Sequence, residues 1–460
     1  MERLFIVKED KIMNGDIHIP QVQLRQKRNL ILFIISYVIN NLASGILYDT
    51  YVNYLQEVSL PTATSFWAFY GYATFLSALI LLLVPKSGYK KLLLFCAAST
   101  SAAFFCVVFV KSATIFYLST LLALTGVQLH FIMLAPYVAA YAGSAGGKSI
   151  DWYTRTYYMG YVGYFLTTFL GGAATVKLFS SHAGISFERA RKLTEYITET
   201  TGSTRDAYLA GNRDVLIITG VVTLLSIVPI LFIREEKSDY ISVEEQQTKK
   251  QSLPERARDI LSVLFRKDAM MYLIYWALIS FAMGLFTSYY TVFLNRNLHI
   301  DKATSSLLVS ISYAAIVLFM LFTPFVVKKM GTVGTICFTV LLSIPFMLII
   351  ANGNRFGKAM IPMVGIGLFM RAGLANLGSP ADSALSMMLA PKNLRPAFTS
   401  VVNFIAGIVS IISGHFTGSI LFTTQEGYRT AYYIAAGLYF VAALVIITLF
   451  KKYNRKEAEE

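Results

Sequence analysis

The sequence predicts an all-α membrane protein in which twelve transmembrane helices form two pseudo-symmetric six-helix bundles. Three observations predict it. Of the 460 residues, 55% are hydrophobic and only 14% charged, and the mean hydropathy is +0.57, far more apolar than a soluble chain of this size. Twelve apolar runs are each long enough to cross about 30 Å of hydrocarbon at about 1.5 Å per residue. Finally, features of the first six runs recur in the second six at a nearly constant offset.

Residues 1–28 are polar and lack the apolar core of a cleavable signal, so they read as a cytoplasmic tail. Apolar runs follow at 29–50, 64–84, 92–110, 113–141, 153–175 and 215–233, and again at 269–294, 304–327, 332–351, 359–389, 397–422 and 430–450. They show no period-two alternation and are too long for barrel strands, so helices are required. With the N-terminus inside, 27 Lys and Arg fall on the inner side and 12 outside, and Arg371 completes the 40. That asymmetry predicts a multi-pass cell-membrane protein with both termini in the cytoplasm, 451–460 forming the second tail.

The inner segment 234–268 divides the chain into halves at 29–233 and 269–450, and within it PERARDILSVLFRKD predicts an amphipathic helix at the inner surface. The outer segment 176–214 is long and charged. Helical spacing of apolar residues in ISFERARKLTEYITET predicts a short helix there, read first as interfacial with no transport role and second as a lid.

Tyr51 and Leu55 recur 239 residues later as Tyr290 and Leu294. VPKSGYKK (84–91) and VKKMGTVG (327–334) superpose Lys86 on Lys329 and Gly88 on Gly331 at an offset of 243, and Pro136, Lys148 and Gly163 match Pro380, Lys392 and Gly407 at 244. Six is even, so the halves are parallel repeats related by an axis along the membrane normal.

With its twelve spans, central inner loop, basic loops after spans two and eight, and RTYYMGYVGYFLTTFLGG pattern at 155–172, the chain resembles a transporter of the major facilitator superfamily, bacterial type. The resemblance implies that spans 1, 4, 7 and 10 line a central cavity while 3, 6, 9 and 12 stand outside. The residues agree, since spans 3, 6, 9 and 12 contain no Asn, Gln, His or charged residue. Two departures stand out. The loop between spans two and three lacks the family's acid, and span five lacks the Gly-Pro pair of drug/proton antiporters.

Arg371 organises the candidate site, because a charge near mid-membrane is costly and faces a protein interior or a watery cavity. Its guanidinium cannot be neutralised and binds carboxylate or phosphate bidentately; the alternative is a structural arginine bonded to carbonyls or to an acid. Asn40, Asn41, Gln128, His130 and Asn376 add polar groups that either contact substrate or join helices. Tyr48, Tyr51, Tyr54, Tyr289 and Tyr290 cluster at one level and read as an aromatic belt, Tyr290 being also a candidate to cover the apolar part of a ligand. Asp49 is a candidate proton carrier whose depth, counted from Asn29, places it solvated at the interface. Asp382, with Lys392 or Arg395, is a candidate inner gate.

Cys96, Cys106 and Cys337 lack metal-ligand spacing and read as packing residues. The net charge of +14 follows membrane topology and does not point to nucleic acid. There are no paired intramembrane carboxylates and no HExxH, Gly-x-Ser-x-Gly or HxxxxD, which argues against a membrane-embedded enzyme. The expectation is a monomeric secondary active transporter in contact with membrane lipids, without a cofactor, driven by protons or sodium. It would export a small or amphiphilic solute by alternating access; cation-coupled uptake of a sugar or organic anion, and lipid flipping, are the alternatives.

Overall fold

The computed structural model describes residues 2–81, 83–145, 149–236, 239, 265–389 and 395–454. Eleven helices in it are long and apolar enough to cross a membrane: α1 Gln21–Val58, α3 Ser87–Phe109, α4 Ala113–Ala142, α5 Arg155–Ala183, α6 Gly202–Leu231, α7 Lys267–Arg296, α8 Lys302–Met320, α9 Thr323–Ala351, α10 Gly353–Asp382, α11 Val401–Leu421 and α12 Gln425–Leu449. The shorter apolar helix Phe66–Leu81, α2, completes the twelve. The helical backbone of α1 begins before the span, at Glu2. Most of the expected amphipathic helix in the central loop, and Lys392, lie outside the described residues, as does the side chain of Arg395.

The repeat seen in the sequence reappears as backbone geometry. Gly88 and Gly331, 243 residues apart, kink the chain near the start of α3 and inside α9 with φ/ψ of 76°/168° and 78°/170°. That region is open to glycine and strained for any residue with a Cβ. Likewise α1 is broken by a π-helical turn at Leu47–Tyr51, and α7 by a 3₁₀ turn at Thr287–Tyr289 at the matching offset. Such local irregularities often mark working positions in a helix.

Each kinked glycine is held by a polar side chain from beyond the sixth span of its own half. The Glu235 carboxylate accepts hydrogen bonds from the Tyr89 and Lys90 backbone N–H groups at 2.9 and 3.0 Å. In the second half Asn454 accepts from the Gly334 N–H at 3.0 Å and donates to the Met330 carbonyl. An acid absent from the 84–91 loop is thus supplied from the end of α6. Burial raises the Glu235 pKa above the ordinary carboxylate range, opposed by the two N–H donors.

The halves meet where α2 packs on α11 and α5 on α8. Small residues permit the approach: a Cβ on Gly71 would meet Ile411, one on Gly172 would meet Ser306, and one on Gly414 would meet the backbone of Ala68. With lipid as solvent, such close backbone contact supplies much of the association energy between helices.

The segment expected as a long loop at 176–214 is mostly helix. α5 continues to Ala183 and α6 begins at Gly202, which leaves a short connection carrying the helix Phe187–Leu193 and a 3₁₀ turn at Thr194–Glu199. Hydropathy places the sixth span too late because Arg205, Asp206, Arg213 and Asp214 ride on the polar end of a longer helix.

Candidate functional site

A cavity of about 420 Å³ lies between the halves. From α1 it receives Asn40, Asn41, Ser44 and Tyr48, from α2 Trp67 and Tyr70, from α4 Gln128, and from α5 Tyr161 and Tyr164. The second half contributes Tyr275, Trp276 and Tyr290 from α7, Ser312 and Tyr313 from α8, and Arg371, Asn376 and Asp382 from α10. It also receives Thr339 and Ser343 from α9 and Tyr439 from α12, so those two helices do not stand wholly outside as the resemblance implied. Hydroxyl-bearing residues on α9 and α12 escaped notice because Ser, Thr and Tyr are common in apolar spans.

Arg371 is buried at 4% exposure. Its Nη2 donates to the Tyr439 hydroxyl at 2.9 Å, and the guanidinium lies 4.7 Å from the centre of the Phe286 ring, a cation–π arrangement. Its Nε has no hydrogen-bond partner, and no carboxylate pairs with it among the described residues. A guanidinium carries five N–H donors; this one retains capacity for a planar anion.

Around it, Gln128 donates to the Tyr48 hydroxyl at 3.1 Å, while Asn41 and Asn376 each donate to the carbonyl four residues earlier in their own helix. His130 is a correction. It is buried away from the cavity wall, with Phe33 and Tyr37 against its ring and Ser36 Oγ 3.5 Å from Nε2. Its neighbours at 127, 128 and 131 line the cavity, so the helical turn points His130 into the first bundle. The aromatic belt is a second correction: Tyr51, Tyr54, Tyr289 and Tyr290 are buried, and Tyr48 and Tyr290 line the cavity. A Tyr count of 28 in the chain was the available signal, because phenols in a protein interior combine apolar cover with a polar tip.

Asp49 is the third correction. It is fully buried, forms an ion pair with Lys302 of α8, and accepts from Ser306 Oγ at 2.8 Å. Counting from Asn29 misplaced it because α1 continues beyond residue 50 to Val58, leaving Asp49 more than two turns inside the helix end. Asp301 caps α8, accepting from the Thr304 N–H at 3.0 Å, which sets Lys302 in the first helical turn. A lysine is unfavourable at that end of the helix dipole unless an acid faces it, and Asp49 does. Nothing in the sequence distinguished Lys302 from a loop cation.

This pair belongs to a larger closure. Asn53 donates to Thr291 at 2.9 Å, Gln56 to Tyr428 at 3.2 Å and Arg296 to Glu57 at 2.5 Å. Among the described residues, the hydrogen bonds and ion pairs joining the two halves lie in the half of the bundle nearest the α5–α6 connection.

The 3₁₀ turn that follows the short helix after α5 takes part in that closure. Asn295 donates to the Thr194 carbonyl at 2.7 Å, the Lys302 N–H donates to Thr194 Oγ1 at 3.1 Å, and Tyr196 stacks on His299 at 5.0 Å. The connection therefore straps the first half to the second. In a Cys106→Ser background, joining Tyr196→Cys to His299→Cys with a short thiol crosslinker is expected to stop transport, with activity restored by a cleavable linker once cut.

Among the described residues no group of His, Cys, Asp or Glu could hold a metal ion. Asp382 is buried on the cavity wall, and its Oδ1 has no hydrogen-bond partner.

Comparison with known proteins agrees with this architecture. The Major Facilitator Superfamily model matches residues 206–414 and 277–460, together more than half of the chain. No curated protein matches the sequence. Among solved structures, the nucleoside transporter NupG superposes with a TM-score of 0.68 at 15% identity, covering 92% of this chain and 99% of its own. A bacterial homologue of the iron transporter ferroportin, in an inward-facing state, gives 0.64 at 14% identity, covering 93% and 99%. A bacterial homologue of the lysosomal transporter Spinster, also inward-facing, gives 0.64 at 14%, covering 93% and 98%. The chain belongs to the major facilitator superfamily: it is a multi-pass membrane transporter and not an enzyme.

Proposed function

We propose that the protein is a secondary active transporter that carries a small amphiphilic solute with an anionic group across the cell membrane by alternating access. The observation that carries the reading is Arg371, a permanent cation on the wall of the central cavity with unused donors and no paired acid among the described residues. A substrate carboxylate or phosphate takes those donors, and the aromatic wall covers the apolar body. Fold-level likeness to carriers of nucleosides supports a small-molecule substrate.

The excess of Lys and Arg on the terminal side orients both termini to the cytoplasm. The state described is then inward-facing, closed outside by the Asp49–Lys302 network and the strap. Outward opening requires that network to part and the cytoplasmic ends to close. Asp49 is the carboxylate that exchanges a coupling proton when it leaves Lys302, with sodium as the other candidate ion. We infer export, because a mainly apolar wall open to the cytoplasm collects amphiphiles from inside the cell.

The test is accumulation of dansyl-phenylalanine, an aromatic anion, in everted membrane vesicles. Native protein is expected to accumulate it, and Arg371→Gln to lower the initial rate at least about tenfold, equivalent to ~1.4 kcal/mol of lost interaction. Equal rates in the two proteins, at equal folded amounts, would remove the anion site from the reading.

A further inference from the structure

α10 carries two ionic groups on a single face. Arg371 and Asp382 are eleven residues apart, which on a regular helix brings their side chains within about 20° of each other and separates them by about 16 Å along the axis. Pro380 loosens the helix between them, yet both line the same cavity. Between them Ala375 and Gly378 also line the cavity, with Thr339 of α9 packed against Gly378, so one wall connects the two charges. That distance is too long for the pair to neutralise each other.

Asp382 has the chemistry of an unfilled cation site. It is 8% exposed, and its Oδ1 lacks a partner. The Tyr272 hydroxyl, which donates to the Asp382 backbone carbonyl at 3.4 Å, also stands against its carboxylate, and Oδ1 is the oxygen left without a donor. A buried carboxylate without a counter-ion or full hydrogen bonding is expensive, and a ligand that supplies the missing donor recovers that cost on binding. Arg371 at the other end of that wall demands the opposite charge.

We infer that the substrate is a zwitterion lying along α10, with its anionic end at Arg371 and an ammonium or similar cation at Asp382. The inference rests on the reading of Arg371 as the anion site and adds the second charge and the length. The two charged ends must stand roughly 10–15 Å apart to reach both side chains, given the axial offset of the helix. Short α-amino acids are too compact; an extended amphiphile or oligomer with charges at opposite ends fits.

Of the three tryptophans in the chain, Trp67 and Trp276 line the cavity, so occupancy is read directly as a change in intrinsic fluorescence. Purified full-length protein is titrated with ω-aminododecanoate, with its N-acetyl derivative, which keeps only the anion, and with its methyl ester, which keeps only the cation. The free zwitterion is expected to bind native protein at least tenfold more tightly than either blocked compound. Asp382→Asn is expected to bring the zwitterion down to the affinity of the N-acetyl compound and to leave the latter unchanged, while Asp382→Glu retains part of the preference.

Equal affinity of native protein for the zwitterion and its N-acetyl derivative overturns the inference, and that comparison needs no variant to fold. Loss of binding of both compounds in Asp382→Asn also overturns it, by making the residue structural. In the first of these outcomes, Arg371-dependent binding of the N-acetyl compound still upholds the anion site. If native protein binds none of the three, the anion site and the zwitterion fall together.

Discussion

Lys302→Met is expected to destabilise the protein by about 3–5 kcal/mol, because it leaves Asp49 as an uncompensated charge in the interior. Asp49 would keep Ser306 as a donor, and Asn53 at a longer 3.4 Å, which is not enough to replace an ammonium. The variant should unfold at a markedly lower temperature, or be recovered in low yield. Asp49→Asn combined with Lys302→Met removes both charges and is expected to regain most of the loss, since a buried pair replaced by neutral groups of similar size is often no less stable. A double variant as unstable as Lys302→Met alone would show that the ammonium acts through something other than Asp49. The double variant also separates stability from transport. The pair joins α1 to α8 across the two halves, so its removal should favour opening on the α5–α6 side. That opening is measurable as faster labelling of a cysteine at Ser44 by a membrane-impermeant thiol reagent.

Gly414→Ala is expected to cost about 3 kcal/mol although it adds a single methyl group. A Cβ built on Gly414 would stand 2.0 Å from the backbone nitrogen of Ala68 and 2.5 Å from its Cα. Those atoms belong to α2, so they cannot turn aside as a flexible side chain would. The only relief is to part α2 from α11, one of the two main contacts between the halves. The matched control lies on the same helix: a Cβ on Gly407 would have its nearest neighbour, the Gly71 carbonyl, at 3.7 Å, so Gly407→Ala should be close to neutral. Similar melting temperatures for the two variants would mean that the α2–α11 contact is softer than its geometry implies.

The repeat was legible in the sequence because it rests on residues whose conformation is dictated locally. A glycine with φ near +77° tolerates no ordinary replacement, so Gly88 and Gly331 record the duplication in both chain and backbone. The buried position of Arg371 was legible for a similar reason, since a guanidinium inside a long apolar run has few acceptable surroundings. Its neighbours were not legible. Tyr439 is 68 residues away and Phe286 is 85, and neither separation carries any signal in a single chain. His130 and Gln128 looked alike in the sequence, yet two positions along a helix rotate a side chain by about 200°, so one faces the cavity and the other the bundle core.

The sequence by itself determined that this chain is a twelve-helix membrane protein in two related halves, because hydropathy and run length are properties of each segment and need no partner. It also determined that a permanent charge sits inside a long apolar run. Only the tertiary structure decided that Asp49 is paired and buried, that Lys302 is its partner, and that the α5–α6 strap holds one half to the other. Each of those facts depends on atoms brought together from distant parts of the chain across the seam between the bundles. The energy of such contacts comes from desolvation and mutual geometry, which no local pattern of residues encodes.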